Sequence, residues 1–270
     1  MTVDAHVHVW DLAVRDQDWI GRDSPIRRDF SVADLAPEAH AAGVGGVVLV
    51  QTVTVREETP ELLALAEAHD LVVGVVGWTD LTAEGVGEEL ARLRELPGGR
   101  HLKGVRHQVQ GEPDPRWLLR PEVLRGLSAV ADAGLVYDLV VLPHQLPACA
   151  EAAARLPELT FVLDHLGKPP VARGAPEPWA AGLRALAALP NTVAKLSGLL
   201  TEAGPAWTVR SLRPYADTAL DAFGPDRLMF GSDWPVSTQA ARYGEVLDAT
   251  RELADSEPVL HGTAVRVYGL

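Results

Sequence analysis

The sequence has few of the features that mark a secreted or membrane protein. It contains a single cysteine, Cys149, which excludes an intrachain disulfide and suits a reducing compartment. No apolar run approaches the roughly 18 residues of a membrane span, and no basic segment followed by an apolar one starts the chain as in a signal peptide. We therefore expect a cytoplasmic protein that does not bind a membrane.

Positive charge is also scarce. The sequence has 24 Lys and Arg against 37 Asp and Glu, which gives a formal net charge of −13. Such a chain has no electrostatic footprint for nucleic acid, so we expect no nucleic-acid partner. Neither a G-x-G-x-x-G motif nor a P-loop follows any apolar run, which weakens the case for a nucleotide-binding sheet.

What the sequence does contain is an alternation of short β-branched runs with alanine- and leucine-rich runs. The first kind predicts eight strands, at Val3–Val9, Val44–Gln51, Val72–Trp78, Leu102–Val109, Val136–Leu142, Thr160–Asp164, Thr192–Ser197 and Arg227–Gly231. A helical run follows each of them. Eight such units indicate an α/β protein with a closed (β/α)8 barrel, the TIM barrel, as a single domain over residues 1–270; an open doubly wound sheet is the alternative.

The first predicted strand carries two histidines in the stretch DAHVHVW. Side chains alternate along a strand, so His6 and His8 face the same side, and Asp4 is expected to share it. The valines between them suit the helix layer, which places the imidazoles inside the barrel. Two imidazoles this close are natural ligands for one metal ion, although a hydrogen-bonded structural pair is the alternative.

A carboxylate ends the last predicted strand, in RLMFGSDWPV. Because a barrel closes on itself, Asp233 is expected beside His6 and His8. There it can ligate a metal, take a proton from a water nucleophile, or do both in turn, and a helix N-cap is the structural alternative. His165, in VLDHLGKP, is expected as a further ligand or substrate contact, whereas strand alternation should point Asp164 away from it.

Further polar and aromatic side chains lie at the carboxyl ends of the strands, where the active sites of such barrels are found. The neighbours Arg106 and His107 cannot both point inward on a regular strand. An inward arginine would hold a carboxylate or an oxyanion, and an inward histidine would add an imidazole. The other candidates for substrate binding are Gln51, Glu58, Trp78, His144, Lys195 and Trp234.

The motifs HVHVW, GVRHQVQ, LDHLGKP, KLSGL and FGSDWPV together resemble the amidohydrolase superfamily. Within it they are similar to the branch of sugar-lactone and 2-pyrone-4,6-dicarboxylate lactonases. The resemblance runs from Asp4 to about Tyr268. It implies a (β/α)8 fold and hydrolysis of a lactone by an activated water.

The resemblance also implies roles at the reacting centre. His6, His8, His165 and Asp233 would be metal ligands, and Asp233 and His165 would be catalytic, with Asp233 as general base and acid. The expected cofactor is one divalent metal, with zinc favoured, or none. A binuclear centre is disfavoured because Arg106 stands where the superfamily often has a bridging lysine or glutamate.

The expected substrate is a small lactone or sugar acid, such as an L-fuconolactone or L-rhamnonolactone. Two other functions stay open at this point. One is a metal-dependent decarboxylase of an aromatic or enoic acid on the same fold. The other is an inactive barrel that binds a sugar acid, which the density of ionisable residues at the strand ends disfavours.

Overall fold

Eight parallel strands alternate with helices along the chain, and the computed structural model describes residues 1–270. The strands are β1 (Thr2–Val7), β2 (Val44–Val50), β3 (Val72–Gly77), β4 (Leu102–His107), β5 (Val136–Leu139), β6 (Phe161–Leu163), β7 (Thr192–Leu196) and β8 (Leu228–Phe230). They follow one another in the sheet in chain order. The predicted (β/α)8 barrel is confirmed, and each strand lies within a residue of its β-branched run or inside it.

The sheet closes where the chain leaves β8 and meets β1. The backbone N–H of His8 donates to the carbonyl of Trp234 at 2.7 Å, and the N–H of Asp233 donates to the carbonyl of His6 at 2.9 Å. Val7 and Trp234 form a parallel bridge at the same place. The end of the last strand therefore lies beside the first, as barrel closure predicts.

The helices surround the sheet. They are α1 (Val32–Ala41), α2 (Glu58–Ala68), α3 (Val86–Glu95), α4 (Pro121–Asp132), α5 (Leu146–Arg155), α6 (Trp179–Ala187), α7 (Leu199–Ala203), α8 (Val209–Phe223), α9 (Tyr243–Ala254) and α10 (Thr263–Tyr268). The sequence did not predict the short helices α7 and α10. None of the ten has the length and hydrophobicity that crossing a membrane requires.

The amino-terminal half of the barrel interior is apolar. Its side chains come from seven strands and from α10, namely Val3, Ala5, Val48, Val50, Val76, Val136, Val162, Val193, Met229, Ala264 and Tyr268. Lys103, near the start of β4, donates to the carbonyl of Gly269 at 2.9 Å, which fixes the end of the chain beneath the barrel. Helix α10 therefore closes this end of the barrel.

The prediction that Asp4 shares the face of the two histidines is wrong. Its carboxylate accepts hydrogen bonds from the hydroxyl of Tyr243 on α9 and from the backbone N–H of Ser232, both at 2.8 Å, so it points towards the helix layer. The pairing of β1 with β2 shifts between Asp4 and Val7, which places one extra residue on β1. This bulge, and not strict alternation, turns His6 inward.

Candidate active site

The structure brings together the four side chains expected at the reacting centre. The Nε2 atoms of His6 and His8 lie 3.1 Å apart. Asp233 Oδ1 lies 3.6 Å from Nε2 of His8 and 3.8 Å from Nε2 of both His6 and His165. All four residues are buried. Three imidazole nitrogens therefore surround one carboxylate oxygen at the carboxyl end of the barrel.

The backbone that carries two of these residues is in the left-handed region. His165 has a φ of 52° and Asp233 a φ of 59°, which non-glycine residues rarely adopt. Two glycines leave the space that the histidines occupy. A Cβ on Gly198 would lie 2.8 Å from Cβ of His165, and a Cβ on Gly231 would lie 2.8 Å from Cβ of His6.

Hydrogen bonds orient the imidazole rings. His8 Nδ1 lies 2.7 Å from the carbonyl oxygen of Val50. Because a carbonyl can only accept, His8 carries its proton on Nδ1 and keeps the lone pair of Nε2 free. His165 Nδ1 lies 2.9 Å from the hydroxyl of Ser197, so its Nε2 also faces Asp233.

The prediction that Asp164 points away from the site is wrong. Its Oδ2 accepts from Arg106 Nη1 at 2.9 Å, and its Oδ1 lies 2.9 Å from Lys195 Nζ and 3.3 Å from His6 Nδ1. Strand alternation in fact places Asp164 inward, because Val162 faces the barrel interior two residues earlier, and it is His165 that departs from alternation through its left-handed backbone. Asp164 therefore lies directly behind His6.

Lys195 joins this cluster from β7 and is fully buried. Its Nζ lies 2.5 Å from Asp138 Oδ2 and 3.1 Å from His6 Nδ1. Tyr268 on α10 donates its hydroxyl to Asp138 at 2.9 Å. Sequence reasoning missed Asp138 and Tyr268. A charged residue in the apolar run VYDLV was a usable signal for the first, whereas nothing in the sequence marked the second.

Burial and neighbouring charges shift the pKa values of these groups. Burial alone would raise the pKa of Asp233, but His165, His8 and His6 outweigh it and hold that pKa well below its usual range. Burial lowers the pKa of His165 to about 4 although Asp233 opposes the shift, and burial lowers the pKa of His6 well below its usual value. At neutral pH the centre therefore holds an ionised Asp233 beside two neutral imidazoles.

Of the two neighbours on β4, Arg106 points inward. It is buried, and its Nε donates to Gln51 Oε1 at 2.9 Å. His107 is half-buried and lies at the rim, where its ring stacks on Trp117 with centroids 4.2 Å apart. Trp78 Nε1 donates to His107 Nδ1 at 3.0 Å, so His107 carries its proton on Nε2 and donates it to Glu112. Trp78 and His107 thus form one rim unit.

The side chains of the other three candidates make no hydrogen bond to the four residues at the reacting centre. Glu58 accepts from the backbone N–H groups of Thr52 and Val53 and so holds the loop after β2. The Trp234 ring is buried against Phe30, with centroids 5.3 Å apart and an edge-to-face geometry. His144 is exposed.

The donor set fits one divalent metal ion. Ligand atoms of His6, His165 and Asp233 lie within 4.8 Å of one another, and the free Nε2 of His8 faces the same carboxylate. Three imidazoles and a carboxylate form a ligand set that suits zinc.

Comparisons with known proteins agree with this geometry. A family model described as amidohydrolase matches residues 3–270. The chain is 40% identical to L-fucono-1,5-lactonase of Burkholderia multivorans, over all of this chain and 96% of that protein. It is 39% identical to L-fucono-1,5-lactonase of Burkholderia ambifaria, over 90% of this chain and 83% of that protein.

A solved structure of an amidohydrolase from Burkholderia multivorans with bound zinc superposes with a TM-score of 0.92 at 39% identity, over all of this chain and 99% of that one. The family model and these relatives cover nearly the whole chain. The chain therefore belongs to the amidohydrolase family.

Proposed function

We propose that this protein is a lactonase that opens a sugar-acid lactone of the L-fucono-1,5-lactone type. The observation that carries the proposal is the ionised carboxylate of Asp233, 3.6 to 3.8 Å from the Nε2 atoms of three imidazoles. The identity of about 40% to two L-fucono-1,5-lactonases supports the substrate class.

In the proposed reaction Asp233 is the general base and then the general acid. It accepts a proton from a water molecule whose oxygen bonds to the lactone carbonyl carbon. The bond between that carbon and the ring oxygen then breaks, and Asp233 returns the proton to the departing alkoxide. The product is the open hydroxy acid, and Asp233 is regenerated as a carboxylate.

His6, His8, His165 and Asp233 would hold one divalent ion, and we propose zinc because the donor set suits it. When bound, the ion supplies polarisation of the lactone carbonyl and a more acidic water. His165 contributes to this centre as a ligand and as a polar neighbour of the reacting carbonyl. Its Nδ1 contact with Ser197 keeps Nε2 directed at Asp233.

The remaining candidates divide into three proposed groups. Trp78 and His107 at the rim contact the sugar. Arg106, Gln51 and Lys195 are already hydrogen-bonded to protein groups, so we assign them to holding the cluster in place. The protein contacts of Glu58 and Trp234, and the exposed position of His144, give these three no role in the proposed reaction.

A single domain over residues 1–270 and a cytoplasmic location stay predictions.

A panel of lactones tests the proposal. The purified protein is mixed with L-fucono-1,5-lactone, L-rhamnono-γ-lactone and 2-pyrone-4,6-dicarboxylate, and acid release is followed with a pH indicator. We expect the fastest turnover on L-fucono-1,5-lactone and none above the spontaneous rate with Asp233→Asn. Rates no faster than spontaneous hydrolysis on all three lactones would contradict the proposal.

A further inference from the structure

A chain of hydrogen bonds links three side chains at the rim of the barrel. The Trp78 indole, which follows β3, donates its Nε1–H to His107 Nδ1 at 3.0 Å. The other ring nitrogen, His107 Nε2, donates to Glu112 Oε1 at 2.8 Å. An indole can only donate and an ionised carboxylate can only accept. The chain therefore runs in one direction, from Trp78 through a neutral His107 to Glu112.

The backbone of Trp78 is fixed independently of this chain. Its N–H donates to Thr59 Oγ1 at 2.8 Å, and its carbonyl accepts from the same hydroxyl at 2.9 Å. Thr59 is buried on α2. The freedom left to Trp78 is rotation of its side chain, and the bond to His107 is the hydrogen bond that restrains the indole.

The ring of His107 needs more than stacking to hold it. It lies on the buried Trp117 ring, with centroids 4.2 Å and an interplanar angle of 10°. Stacking fixes the plane of the imidazole, but a half-turn flip of the ring keeps that plane and exchanges its nitrogens for carbons. The bond to Glu112 stabilises the orientation in which Nδ1 faces Trp78.

The loop that carries Glu112 is tied to its neighbours. Gln108 Nε2 donates to the carbonyl of Thr52 at 2.6 Å, and Gln145 Nε2 donates to the carbonyl of Val109 at 2.8 Å. The N–H of Glu112 also donates to the carbonyl of Val109, at 3.0 Å. The partly exposed carboxylate is therefore held in place by the barrel.

The chain uses the indole N–H of Trp78 and both ring nitrogens of His107. The His107 ring does not cover the indole, because their centroids are 6.5 Å apart and the rings are tilted by 34°. What the half-buried Trp78 can still offer to a substrate is the face of its ring. Such a face suits the C–H groups of a sugar ring.

We propose that Glu112 is a positioning residue for substrate binding. Through His107 it holds the Trp78 indole so that its ring face lies against the C–H groups of the sugar lactone. Trp78 makes no hydrogen bond to the four residues at the reacting centre. Its contact therefore contributes equally to the bound lactone and to the transition state, and its loss raises KM without lowering kcat.

This role of Glu112 rests on the proposed function in taking the rim as the surface that the sugar contacts. The orientation of Trp78 is measurable without a lactone. If no lactone of the panel is turned over, the proposed function fails, and the first experiment below still decides whether Glu112 positions Trp78. If the lactone is turned over and KM does not respond to Glu112, this proposal alone fails.

The first experiment follows hydrogen exchange of the Trp78 indole N–H by nitrogen-15 NMR, in protein without substrate. The sequence has seven tryptophans, and Trp78→Phe identifies the signal by its loss. We expect Glu112→Ala to speed this exchange at least about fivefold, because His107 is no longer held as the acceptor. Glu112→Gln should stay within about twofold, since its amide oxygen still accepts from His107. Equal exchange in Glu112→Ala and the unaltered protein would overturn the proposal.

The second experiment measures kcat and KM on L-fucono-1,5-lactone. We expect Glu112→Ala to raise KM about 5- to 20-fold and to change kcat less than about twofold. Glu112→Gln should restore KM to within about threefold of the unaltered protein. A lower kcat at unchanged KM, or an equal rise in KM for both variants, would overturn the proposal.

Asp114 provides a matched control on the same loop. Its carboxylate accepts from the backbone N–H of Arg116 at 2.9 Å and from Arg120 Nε at 3.0 Å. It makes no hydrogen bond to His107. We expect Asp114→Ala to change KM less than about twofold. A rise equal to that of Glu112→Ala would mean that the order of the loop sets KM, which overturns the role assigned to Glu112.

A double variant tests whether Glu112 acts through Trp78. Trp78→Phe keeps a ring face and removes the N–H, so it breaks the same chain at its other end. We expect Trp78→Phe with Glu112→Ala to have a KM no more than about twofold above that of the worse single variant. Effects that multiply would mean that the two residues act separately, and the proposal would be wrong.

Discussion

The two halves of the barrel interior use the same strands for opposite purposes. In the amino-terminal half the inward side chains are almost all aliphatic. In the carboxyl-terminal half they include three aspartates, an arginine, a lysine and three histidines, all buried. One half excludes water by packing, and the other holds charges that only one another can neutralise.

The change from one half to the other takes a single step of strand alternation. On β5, Val136 belongs to the apolar half and Asp138, two residues later, belongs to the charged one. Val193 and Lys195 repeat the pattern on β7. Because residues i and i+2 share a face, β5 and β7 each place an apolar side chain in one layer of the interior and a charged one in the next.

The largest effect is expected from removing the charge at the centre of the carboxyl-terminal half. We expect Asp233→Asn to lower kcat/KM for the lactone about 1,000-fold or more, because the amide cannot accept the proton of water. The thermal midpoint should stay within about 4 °C, since the fold rests on the other half. Asp248→Asn, with an exposed carboxylate, is the matched control. Retained turnover would remove Asp233 from the mechanism.

A steric change at the same end should cost less activity. A Cβ on Gly231 would meet Cβ of His6 at 2.8 Å and Cβ of Ser197 at 3.2 Å. We expect Gly231→Ala to lower kcat/KM about 10- to 100-fold by displacing His6, and to destabilise the fold by about 1–3 kcal/mol. Gly244→Ala, where the added Cβ meets nothing within 4 Å, should leave kinetics unchanged. Equal kinetics for both variants would contradict the close packing around His6.

Much of this layout was predictable from the sequence. Runs of β-branched residues predicted eight strands, and the eight strands of the structure confirm them. Placing His6, His8, His165 and Asp233 at the carboxyl ends of three of them was enough to predict that they meet, because barrel closure puts β8 beside β1. These inferences used only local periodicity and the topology of the barrel.

What could not be predicted depends on departures from regular geometry. The pairing shift between Asp4 and Val7 reversed the side on which Asp4 lies. Asp164 lies inward by alternation from Val162, and only the left-handed backbone at His165 lets this neighbour reach the same site. Tyr268 reaches Asp138 across 130 positions of the chain, a contact set by long-range packing with no local signal.

A substitution in the apolar half should have the opposite effect, lowering the free energy of unfolding while leaving activity unchanged. Val48 on β2 is fully buried there. We expect Val48→Ala to lower the free energy of unfolding by about 1.5–2.5 kcal/mol, through two lost methylene equivalents and the cavity that remains. Activity per folded molecule at 25 °C should be unchanged. Urea unfolding and lactone kinetics on the same preparation check both statements, and a loss of activity without a loss of stability would mean that the two halves are not separate.

Cys149 tests whether burial of an ionisable group is enough to make it reactive. It lies on α5 in the helix layer, away from both halves, and burial raises the pKa of its thiol to about 12. Since the thiolate is the reactive form, only about one part in ten thousand is ionised at pH 8, and the fraction grows only as the pH approaches that pKa. We expect no reaction with Ellman's reagent at pH 8 in the native state and one thiol per chain after unfolding. Rapid native labelling would show that α5 opens. Unlike Cys149, the buried carboxylates of Asp164 and Asp233 have cationic groups or imidazoles around them, and that difference in neighbours, more than burial, is what keeps them ionised.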